Sequence, residues 1–263
     1  MVIRGKYCVI NGLIKPAERF KTEFIKNGCS IYEVLRVLNG KPVFIEAHLV
    51  RLQGSAHLTA AELPTFTTIQ KGINQLIAAN QIENGNIELV ANAADDWSVR
   101  FIPHYWPLPE EYENGVNTML YKAMRENPNA KIKFTDLRAA VGTFIKQNNI
   151  FEAIYVSKNG CITEGSKSNI FFIIHNTFYT APDEQVLPGI TRKVVLHILK
   201  KHKYPVKYRN VHIDELADFD AAFITGTSPG VLPIAKINDY TYDVRQKALR
   251  NIMALFETRL FST

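Results

Sequence analysis

The chain has 263 residues, of which 46% are hydrophobic and 21% are charged, and its formal net charge is +6. This length and composition predict a globular protein with a large buried core, built as one large domain or as two of ordinary size. No stretch approaches the roughly 18 apolar residues of a membrane span, and the first residues lack the apolar segment of a signal peptide. We therefore expect a soluble, cytoplasmic protein without a membrane partner.

The positive charge and the cysteines indicate neither a nucleic-acid surface nor a metal centre. The lysines are spread along the chain without a nucleic-acid-binding motif, so we expect no nucleic-acid partner. A basic surface equally suits a small anionic ligand. The three cysteines, Cys8, Cys29 and Cys161, show no CxxC spacing. The sequence therefore predicts neither a disulfide framework nor a metal site.

Strand-forming and helix-forming segments alternate in the first part of the chain. Strands are predicted in KYCVING, in NIELVANA and on both sides of Asn39-Gly40, where the NGK turn indicates a hairpin. Helices are predicted from Ala47 and over residues 65–80, where apolar residues recur at helical spacing.

Proline and acidic residues between Pro103 and Gly115 indicate a loop or a boundary. We place the domain division just beyond this segment. It gives an N-terminal domain of residues 1–118 and a C-terminal domain of residues 119–263.

The second part of the chain is also mixed. Two helices are predicted first, one over residues 135–148 and one that follows LPGITR and ends before Tyr204-Pro205. The predicted strands are VNTMLYKAM, EAIYVS, CIT, NIFFIIHNTFYT and AAFIT. Asn159-Gly160 indicates a hairpin between the second and third of these strands. After the loop TGTSPG, a last helix is predicted from about Tyr242.

Two glycine-containing segments are suited to bind an anion. In LPGITR, Gly189 lets the backbone bend, and the unpaired N–H groups of Ile190 and Thr191 open a helix. An ordinary N-cap explains this segment equally well. In TGTS, Gly226 and Thr227 follow a strand and could close around an anion, although an ordinary turn is the simpler interpretation of this feature alone.

Arg51 and Glu164 narrow the choice of ligand. Arg51 could clamp a phosphate with two hydrogen bonds, although a solvated helical arginine is simpler. Neither a Walker lysine motif nor GxGxxG is present, which argues against ATP and NAD. Pyridoxal phosphate (PLP) needs a phosphate cup, a lysine amine and a carboxylate for its ring nitrogen. Glu164, followed by the hydroxyl-bearing segment GSKSN, can be that carboxylate.

Four segments, in the same order, resemble the class IV, fold-type IV PLP-dependent enzymes. This family includes branched-chain aminotransferases, D-amino-acid aminotransferases and aminodeoxychorismate lyase. The segments are YEVLRVLNGKPVFIEAHLVRLQGSA, FEAIYVSKNGCITEGSKSNIFF, LPGITR and FITGTSPGVLPI. Each match is weak alone, but four in order are specific.

The resemblance implies an α/β (α+β) protein with the two-domain fold of D-amino-acid aminotransferase. Its smaller N-terminal part would be an α/β sandwich and its larger C-terminal part an α/β domain, and the protein would be a homodimer that binds PLP. The implied function is transfer of an amino group between an amino acid, branched-chain or similar, and a 2-oxo acid through a lysine Schiff base. The alternative in the same family is aminodeoxychorismate lyase, which gives pyruvate and 4-aminobenzoate. An anion-binding module without catalysis is a third hypothesis.

The resemblance also implies the roles of individual residues. Glu164 would pair with the pyridine nitrogen, and Tyr32 would lie near the substrate carboxylate or the ring. The remaining implied cofactor-binding residues are Arg51, Ser168, Asn169, Gly189, Ile190, Thr191, Gly226 and Thr227.

The Schiff-base lysine is either Lys131 or Lys133, and both would face the same side of a strand. Lys131 lies 152 − 131 = 21 residues before Glu152, a spacing that fits the family without a gap, whereas Lys133 requires a two-residue deletion. Against this, IKFTD resembles the lysine pattern of some members. We assign the role to Lys131 and keep Lys133 as the alternative.

The substrate-reading segment departs from the family pattern. Several relatives carry an arginine-glycine segment after the strand that corresponds to NIELVANA, and here Ala93-Ala94-Asp95-Asp96-Trp97 takes that place. The preferred amino acid and its stereochemistry are therefore not predicted. Arg100, His104 and Tyr105 follow and could read the substrate, although a structural or exposed position is simpler for each.

Overall fold

The computed structural model describes residues 5–20, 30–133 and 135–261, which form two compact units. Unit 1 comprises Met1–Tyr105 and Ala130–Thr135, and unit 2 comprises Trp106–Asn129 and Asp136–Thr263. The domain division after residue 118 stays a prediction. The two compact units divide after Tyr105, and the later segment Ala130–Thr135 also belongs to unit 1.

Unit 1 is an antiparallel sheet with two helices. Its strands are β1 (Tyr7–Ile10), β2 (Leu13–Pro16), β3 (Ile31–Leu38), β4 (Lys41–Pro42), β5 (Gly85–Ala93) and β6 (Asp96–Ile102), in the order β2-β1-β6-β5-β3-β4. The helices are α1 (Ile45–Thr59) and α2 (Phe66–Asn80). Leu52 of α1 and Ile73 of α2 share one core with Leu35 and Leu89 of the sheet. Burial of this apolar face is the main stabilisation of the unit.

The turn and helix signals of unit 1 are confirmed. Asn39 and Gly40 join β3 to β4 with φ values of 49° and 73°, which is the left-handed conformation that the NGK pattern predicts. Thr65 caps α2, because its Oγ1 accepts a hydrogen bond from Thr68 N at 3.2 Å.

Unit 2 is built around a larger mixed sheet. Its strands are β7 (Val116–Lys122), β8 (Glu152–Val156), β9 (Cys161–Gly165), β10 (Asn169–Ile174), β11 (Thr177–Thr180), β12 (Val206–Tyr208), β13 (Val211–His212), β14 (Ala221–Gly226), β15 (Gly230–Ile237) and β16 (Tyr240–Thr241). The helices are α3 (Pro109–Asn114), α4 (Thr135–Gln147), α5 (Ile190–Lys201) and α6 (Lys247–Phe261).

The sheet of unit 2 closes on itself. Its strand order is β12-β11-β10-β14-β15-β7-β8-β9-β13, and β9 also pairs with β10. The strands from β10 through β9 therefore form a ring, and Glu164 opposite Asn169 is the pair that closes it. Ile154, Ile170 and Leu232 belong to the core inside this ring.

Unit 2 differs from the prediction in several places. NIFFIIHNTFYT forms two strands, β10 and β11, because His175 and Asn176 take φ values of 47° and 70° and make a two-residue hairpin. β15 was not predicted because it contains Pro233, which cannot donate a hydrogen bond to a neighbouring strand. The last helix begins at Lys247 rather than near Tyr242.

The described chain shows neither a membrane-spanning helix nor a metal-ligand cluster. Its longest helices have 15 residues, and none has the length and apolar character that a span requires. No group of three or more His, Cys, Asp or Glu side chains among the described residues could hold a metal ion. Cys8 is buried and Cys161 is half-buried, whereas Cys29 lies outside the described residues.

A glycine in α2 tests how tightly unit 1 is packed. A Cβ atom at Gly72 would lie 2.6 Å from Cη2 of Trp97. We expect Gly72→Ala to lower the free energy of unfolding by about 1–3 kcal/mol, because the added methyl overpacks the core. Urea titration followed by circular dichroism measures the change.

Gly54 provides the matched control. It is exposed on α1, and no heavy atom lies within 4 Å of its Cβ position. Gly54→Ala should raise the free energy of unfolding by roughly 0.5–1 kcal/mol, because alanine favours the helix. Equal stability of the two variants would contradict the close packing of α2 against Trp97.

Candidate active site

Unit 1 brings both candidate lysines to the ring of Tyr32. Tyr32 N donates to Lys131 O at 3.0 Å and Lys133 N donates to Ser30 O at 3.1 Å, so the lysine segment extends along β3. Ile132, between the lysines, is buried in the core of unit 1. Both amines therefore leave the chain on the same side, as alternation predicts. They lie 4.6 Å and 5.5 Å from the centre of the Tyr32 ring.

Arg51, the expected phosphate ligand, is bound to a buried carboxylate. Its Nε and Nη2 donate to the two oxygens of Glu33 at 2.7 and 2.6 Å, and Nδ1 of His48 lies 2.8 Å from Oε2 of Glu33. Burial raises the pKa of Glu33, but the charge and hydrogen bonds of Arg51, helped by His48, outweigh burial and hold that pKa at about 2. The phosphate role of Arg51 stays a prediction.

His48 is buried beside the same carboxylate. Burial lowers its pKa despite the opposing effect of Glu33, and the charges of Arg51 and Lys131 lower it further. A neutral imidazole beside a carboxylate donates through the nitrogen that faces it, so Nδ1–H points to Glu33.

A second buried carboxylate, Glu88, binds Lys133 and Arg100. Arg100 lies opposite Glu88 in the sheet, and its Nε and Nη2 donate to Oε2 at 3.2 and 2.9 Å. Nζ of Lys133 contacts Oε1 of Glu88. Burial raises the pKa of Glu88, but Lys133 and Arg100 outweigh it and hold that pKa below its ordinary value. Glu88 is therefore the shared partner of Lys133 and Arg100.

Three candidate substrate-binding residues follow the segment 93–97, and of these Arg100 contacts both a carboxylate and an aromatic ring. Besides Glu88, its guanidinium lies 3.7 Å from the centre of the Phe20 ring. His104 Nδ1 lies 3.3 Å from Ile102 O, and Tyr105 is exposed.

Glu164 is buried in unit 2 and surrounded by donors. The side chain is 3% exposed, and its Oε2 accepts from Leu187 N at 3.0 Å. Nδ2 of Asn169 lies 3.4 Å from the same oxygen, and Nη1 of Arg125 lies 3.3 Å from Oε1. A buried carboxylate needs such partners, since burying it unpaired is costly.

A β-bulge decides which way Glu164 faces. Val156 lies opposite Ile162, but Ile154 lies opposite Gly165, so β9 contains one extra residue between these two pairs. Ile154 belongs to the inner core, and residues directly opposite each other share a face of the sheet. Gly165 therefore faces the inside of the ring, and Glu164 faces outward.

The loop before α5 is anchored to the Glu164 pair. Asn169 Nδ2 donates to Leu187 O at 2.9 Å. Only glycine fits at position 189, because a Cβ atom there would collide with Asn169 Oδ1. Gly189 is the N-cap of α5, and Ile190 and Thr191 are its first two residues, both buried. The structure thus brings LPGITR to Glu164 and Asn169.

The end of β14 continues the same row. Thr225 lies opposite Asn169, on the side away from Glu164. It is buried, and its Oγ1 has no hydrogen-bond partner among the described residues. Gly226 is the last residue of β14, and Thr227 follows in the turn to β15.

Ser168 hydrogen-bonds to another buried carboxylate, that of Glu152. Its Oγ donates to Oε2 of Glu152 at 3.1 Å. Burial raises the pKa of Glu152, partly opposed by the hydrogen bond from Ser166, the charge of Lys167 and the hydrogen bond from Ser168. A role of Ser168 in cofactor binding stays a prediction.

Sequence reasoning missed several polar residues around the buried carboxylates of the two units. They are Glu33, His48, Glu88, Arg125, Glu152 and Thr225. For Glu33 and Glu88 the signal was available, because each is a carboxylate inside an otherwise apolar strand and must find a partner there. For Arg125 and Thr225 no local pattern gives the contact.

The residues present fit the chemistry of PLP. Unit 1 offers two primary amines beside an aromatic ring and a buried arginine. Unit 2 offers a buried carboxylate for a ring nitrogen and, at Thr225, a buried hydroxyl without a partner among the described residues. An amine, a carboxylate and anion-binding donors are what this cofactor requires.

The Arg51 cluster yields a stability prediction. Glu33→Gln removes the negative charge and leaves the guanidinium of Arg51 buried without its ion pair. We expect the free energy of unfolding to fall by about 3–5 kcal/mol, the usual cost of breaking a buried pair. Urea denaturation at pH 7 measures the change.

Glu215→Gln is the control, because the Glu215 and Arg209 side chains are 33% and 41% exposed and such a pair contributes at most about 1 kcal/mol. The Glu33 effect should also depend on pH. Its pKa is lowered from 4.5 to about 2 by folding, so its stabilisation is complete above the unfolded value and is lost as the pH falls through about 2. A stability difference between wild type and Glu33→Gln that stays constant from pH 6 to pH 2 would contradict the ion pair.

Comparisons with known proteins agree on one family. The model of the family described as "Amino-transferase class IV" matches residues 30–237. Branched-chain-amino-acid aminotransferase-like protein 2 of Arabidopsis thaliana is 28% identical over 235 residues, covering 81% of this chain and 42% of that protein. D-alanine aminotransferase of Bacillus licheniformis is 29% identical over 232 residues, covering 81% of each.

A solved structure shows the same fold. The branched-chain aminotransferase of the thermophilic archaeon Thermoproteus uzoniensis, with norvaline, aligns with a TM-score of 0.86 at 23% identity, covering 98% of this chain and 95% of that one. This similarity confirms the expected α/β, fold-type IV architecture. Because the family model matches well over half of the sequence, the chain belongs to the class IV aminotransferases, a family of PLP-dependent enzymes.

Proposed function

We propose that this protein transfers an amino group between an amino acid, branched-chain or similar, and a 2-oxo acid, using PLP. The observation that carries the proposal is the buried carboxylate of Glu164, held by Leu187 N and Asn169 Nδ2 at the closure of the ring of strands. When bound, PLP supplies an electron sink that stabilises negative charge on the substrate carbon. Glu164 is the group proposed to keep the ring nitrogen protonated.

The other proposed roles concern holding the cofactor and moving a proton. Tyr32 lies beside the amines and is proposed to contact the substrate or the ring. Asn169 and Ser168 are proposed to line the ring near Glu164. The proposed phosphate ligands are Arg51, Gly189, Ile190, Thr191, Gly226 and Thr227. Lys131 is proposed to bind the cofactor and then to carry the proton that leaves the substrate carbon.

The surroundings of the two amines support Lys131 over Lys133. The amine of Lys133 is held in an ion pair with Glu88. Lys131 lies nearer the centre of the Tyr32 ring, at 4.6 Å against 5.5 Å for Lys133.

Three finer proposals come from the sequence. The homodimer rests on the family resemblance, the cytoplasmic location on the lack of a long apolar segment, and the domain division after residue 118 on the proline-rich acidic segment before it. The printed names of the relatives include branched-chain and D-alanine aminotransferases, so both L- and D-amino acids belong in the test of substrate.

A single half-reaction tests the proposed transfer. The purified protein is loaded with PLP and mixed with a panel of L- and D-amino acids. We expect amino acids of one stereochemical class to remove the visible absorbance of the bound cofactor. The matching 2-oxo acid should be released in an amount equal to that of the bound PLP. Free PLP with the same amino acids is the control. Pyruvate release from aminodeoxychorismate with unchanged absorbance would replace the proposal by the lyase, and failure to bind PLP would overturn both.

Borohydride reduction tests the choice of lysine. Reduction fixes PLP on the amine that holds it, and peptide mass spectrometry identifies that residue. We expect the label on Lys131, its loss in Lys131→Ala and its retention in Lys133→Ala. A label on Lys133 in the wild-type protein would overturn the assignment without affecting the proposed function.

A further inference from the structure

Glu152, which has no role in the proposed function, is the centre of a hydrogen-bond network. It begins β8 and is 4% exposed. Ser166 Oγ donates to its Oε1 at 2.5 Å, and Ser168 Oγ donates to its Oε2 at 3.1 Å. The backbone N–H groups of Ala153 and Lys167 donate to the same carboxylate at 3.0 and 3.2 Å. Four donors therefore converge on one buried side chain.

Three of these donors belong to the turn of residues 165–168, which joins β9 to β10. Gly165 N donates to Ser168 O at 2.8 Å across the turn, and Ser166 N donates to Ala153 O at 2.9 Å. Gly165 leaves no room for a side chain, because a Cβ there would collide with Ser168 Oγ and lie 3.1 Å from Cγ of Glu152. Glu152 thus fixes the conformation of the turn.

The turn has a candidate-site residue at each end. Glu164 precedes Gly165, and Asn169 follows Ser168. Leu187 N donates to Glu164 at 3.0 Å, and Leu187 O accepts from Asn169 Nδ2 at 2.9 Å. A change in the turn therefore moves the carboxylate, the amide and the loop that they hold.

We propose that Glu152 is a positioning residue that holds the turn 165–168 so that Glu164 meets the pyridine nitrogen of the cofactor. This inference rests on the proposed function, which gives Glu164 that role. Glu152 acts through the hydroxyls of Ser166 and Ser168. Its removal leaves the buried hydroxyl of Ser168, the half-buried hydroxyl of Ser166 and the Lys167 N–H without this acceptor, and the turn can replace it only by rearranging.

Amide hydrogen exchange at Leu187, measured by NMR without added PLP, tests the first step. Leu187 N–H donates to Glu164, so its exchange rate reports on the position of that carboxylate. It does not donate to Glu152, so a defect confined to Glu152 would leave its exchange unchanged. We expect Glu152→Ala to speed this exchange by about tenfold, the effect of losing roughly one buried hydrogen bond. Tyr242→Phe is the control, because it removes a buried hydrogen bond to Leu216 O in the same unit. It should leave the exchange of Leu187 unchanged.

The absorbance of bound PLP as a function of pH tests the second step. A displaced Glu164 stabilises the protonated ring nitrogen less, so the ring nitrogen should lose its proton at a lower pH in Glu152→Ala. The absorbance midpoint, which is the pH at which half of the absorbance change has occurred, should therefore shift to lower pH. PLP binding should weaken by about tenfold. Glu152→Gln keeps one acceptor oxygen and should fall between wild type and Glu152→Ala. If Glu152→Ala does not fold, Glu152→Gln carries both measurements.

The outcomes separate the two proposals. Faster exchange at Leu187 together with a lower absorbance midpoint supports the positioning role. Wild-type exchange and a wild-type midpoint in the Glu152 variants would overturn it, even if the variants are less stable. A wild-type protein that binds no PLP would overturn the proposed function, whereas the exchange at Leu187 is read independently of the cofactor.

Discussion

The pairing of Glu164 with Asn169 is the contact on which unit 2 depends. It closes the ring of strands between β9 and β10, and the two side chains also hold Leu187 in the loop before α5. Asn169 continues the row to Thr225. One backbone pair therefore brings together three segments that are far apart in sequence. A carboxylate placed at such a junction is buried by the fold itself, and the same contacts that bury it supply its donors.

Unit 1 uses charge in a different way. Two carboxylates, Glu33 and Glu88, stand inside apolar strands, and each binds more than one partner. Desolvation alone would raise the pKa of both, yet their cationic partners outweigh it. Burying such pairs is costly, and replacement by apolar residues is often neutral or stabilising. Stability is therefore a weak reason for their presence. The two carboxylates orient Arg51 and the amine of Lys133, which apolar residues could not do.

Sequence patterns predicted the parts of this structure that depend on local physics. Apolar periodicity located α2 and α5, and Asn39-Gly40 located a hairpin, since these signals act within a few residues. Patterns failed where the decision is made elsewhere in the chain. Pro233 argues against a strand locally, but the neighbouring strands impose one. The role of Glu152 depends on a turn that folds back onto it from residues 165–168, which no spacing rule reveals.

The same distinction explains why the family is recognisable while the substrate is not. The segments that carry the resemblance have backbone requirements: a bulge that turns Glu164 outward, a glycine that leaves space for Asn169, and a helix that begins at Ile190. Few residues satisfy such constraints, so the sequence records them. The segment in place of the substrate-reading loop is the turn between β5 and β6, where the register shifts after Ala91. A hairpin turn accepts many side chains. The turn residues Ala94 and Asp95 can therefore change without changing the fold, and the backbone requirements that identify the family do not extend to them.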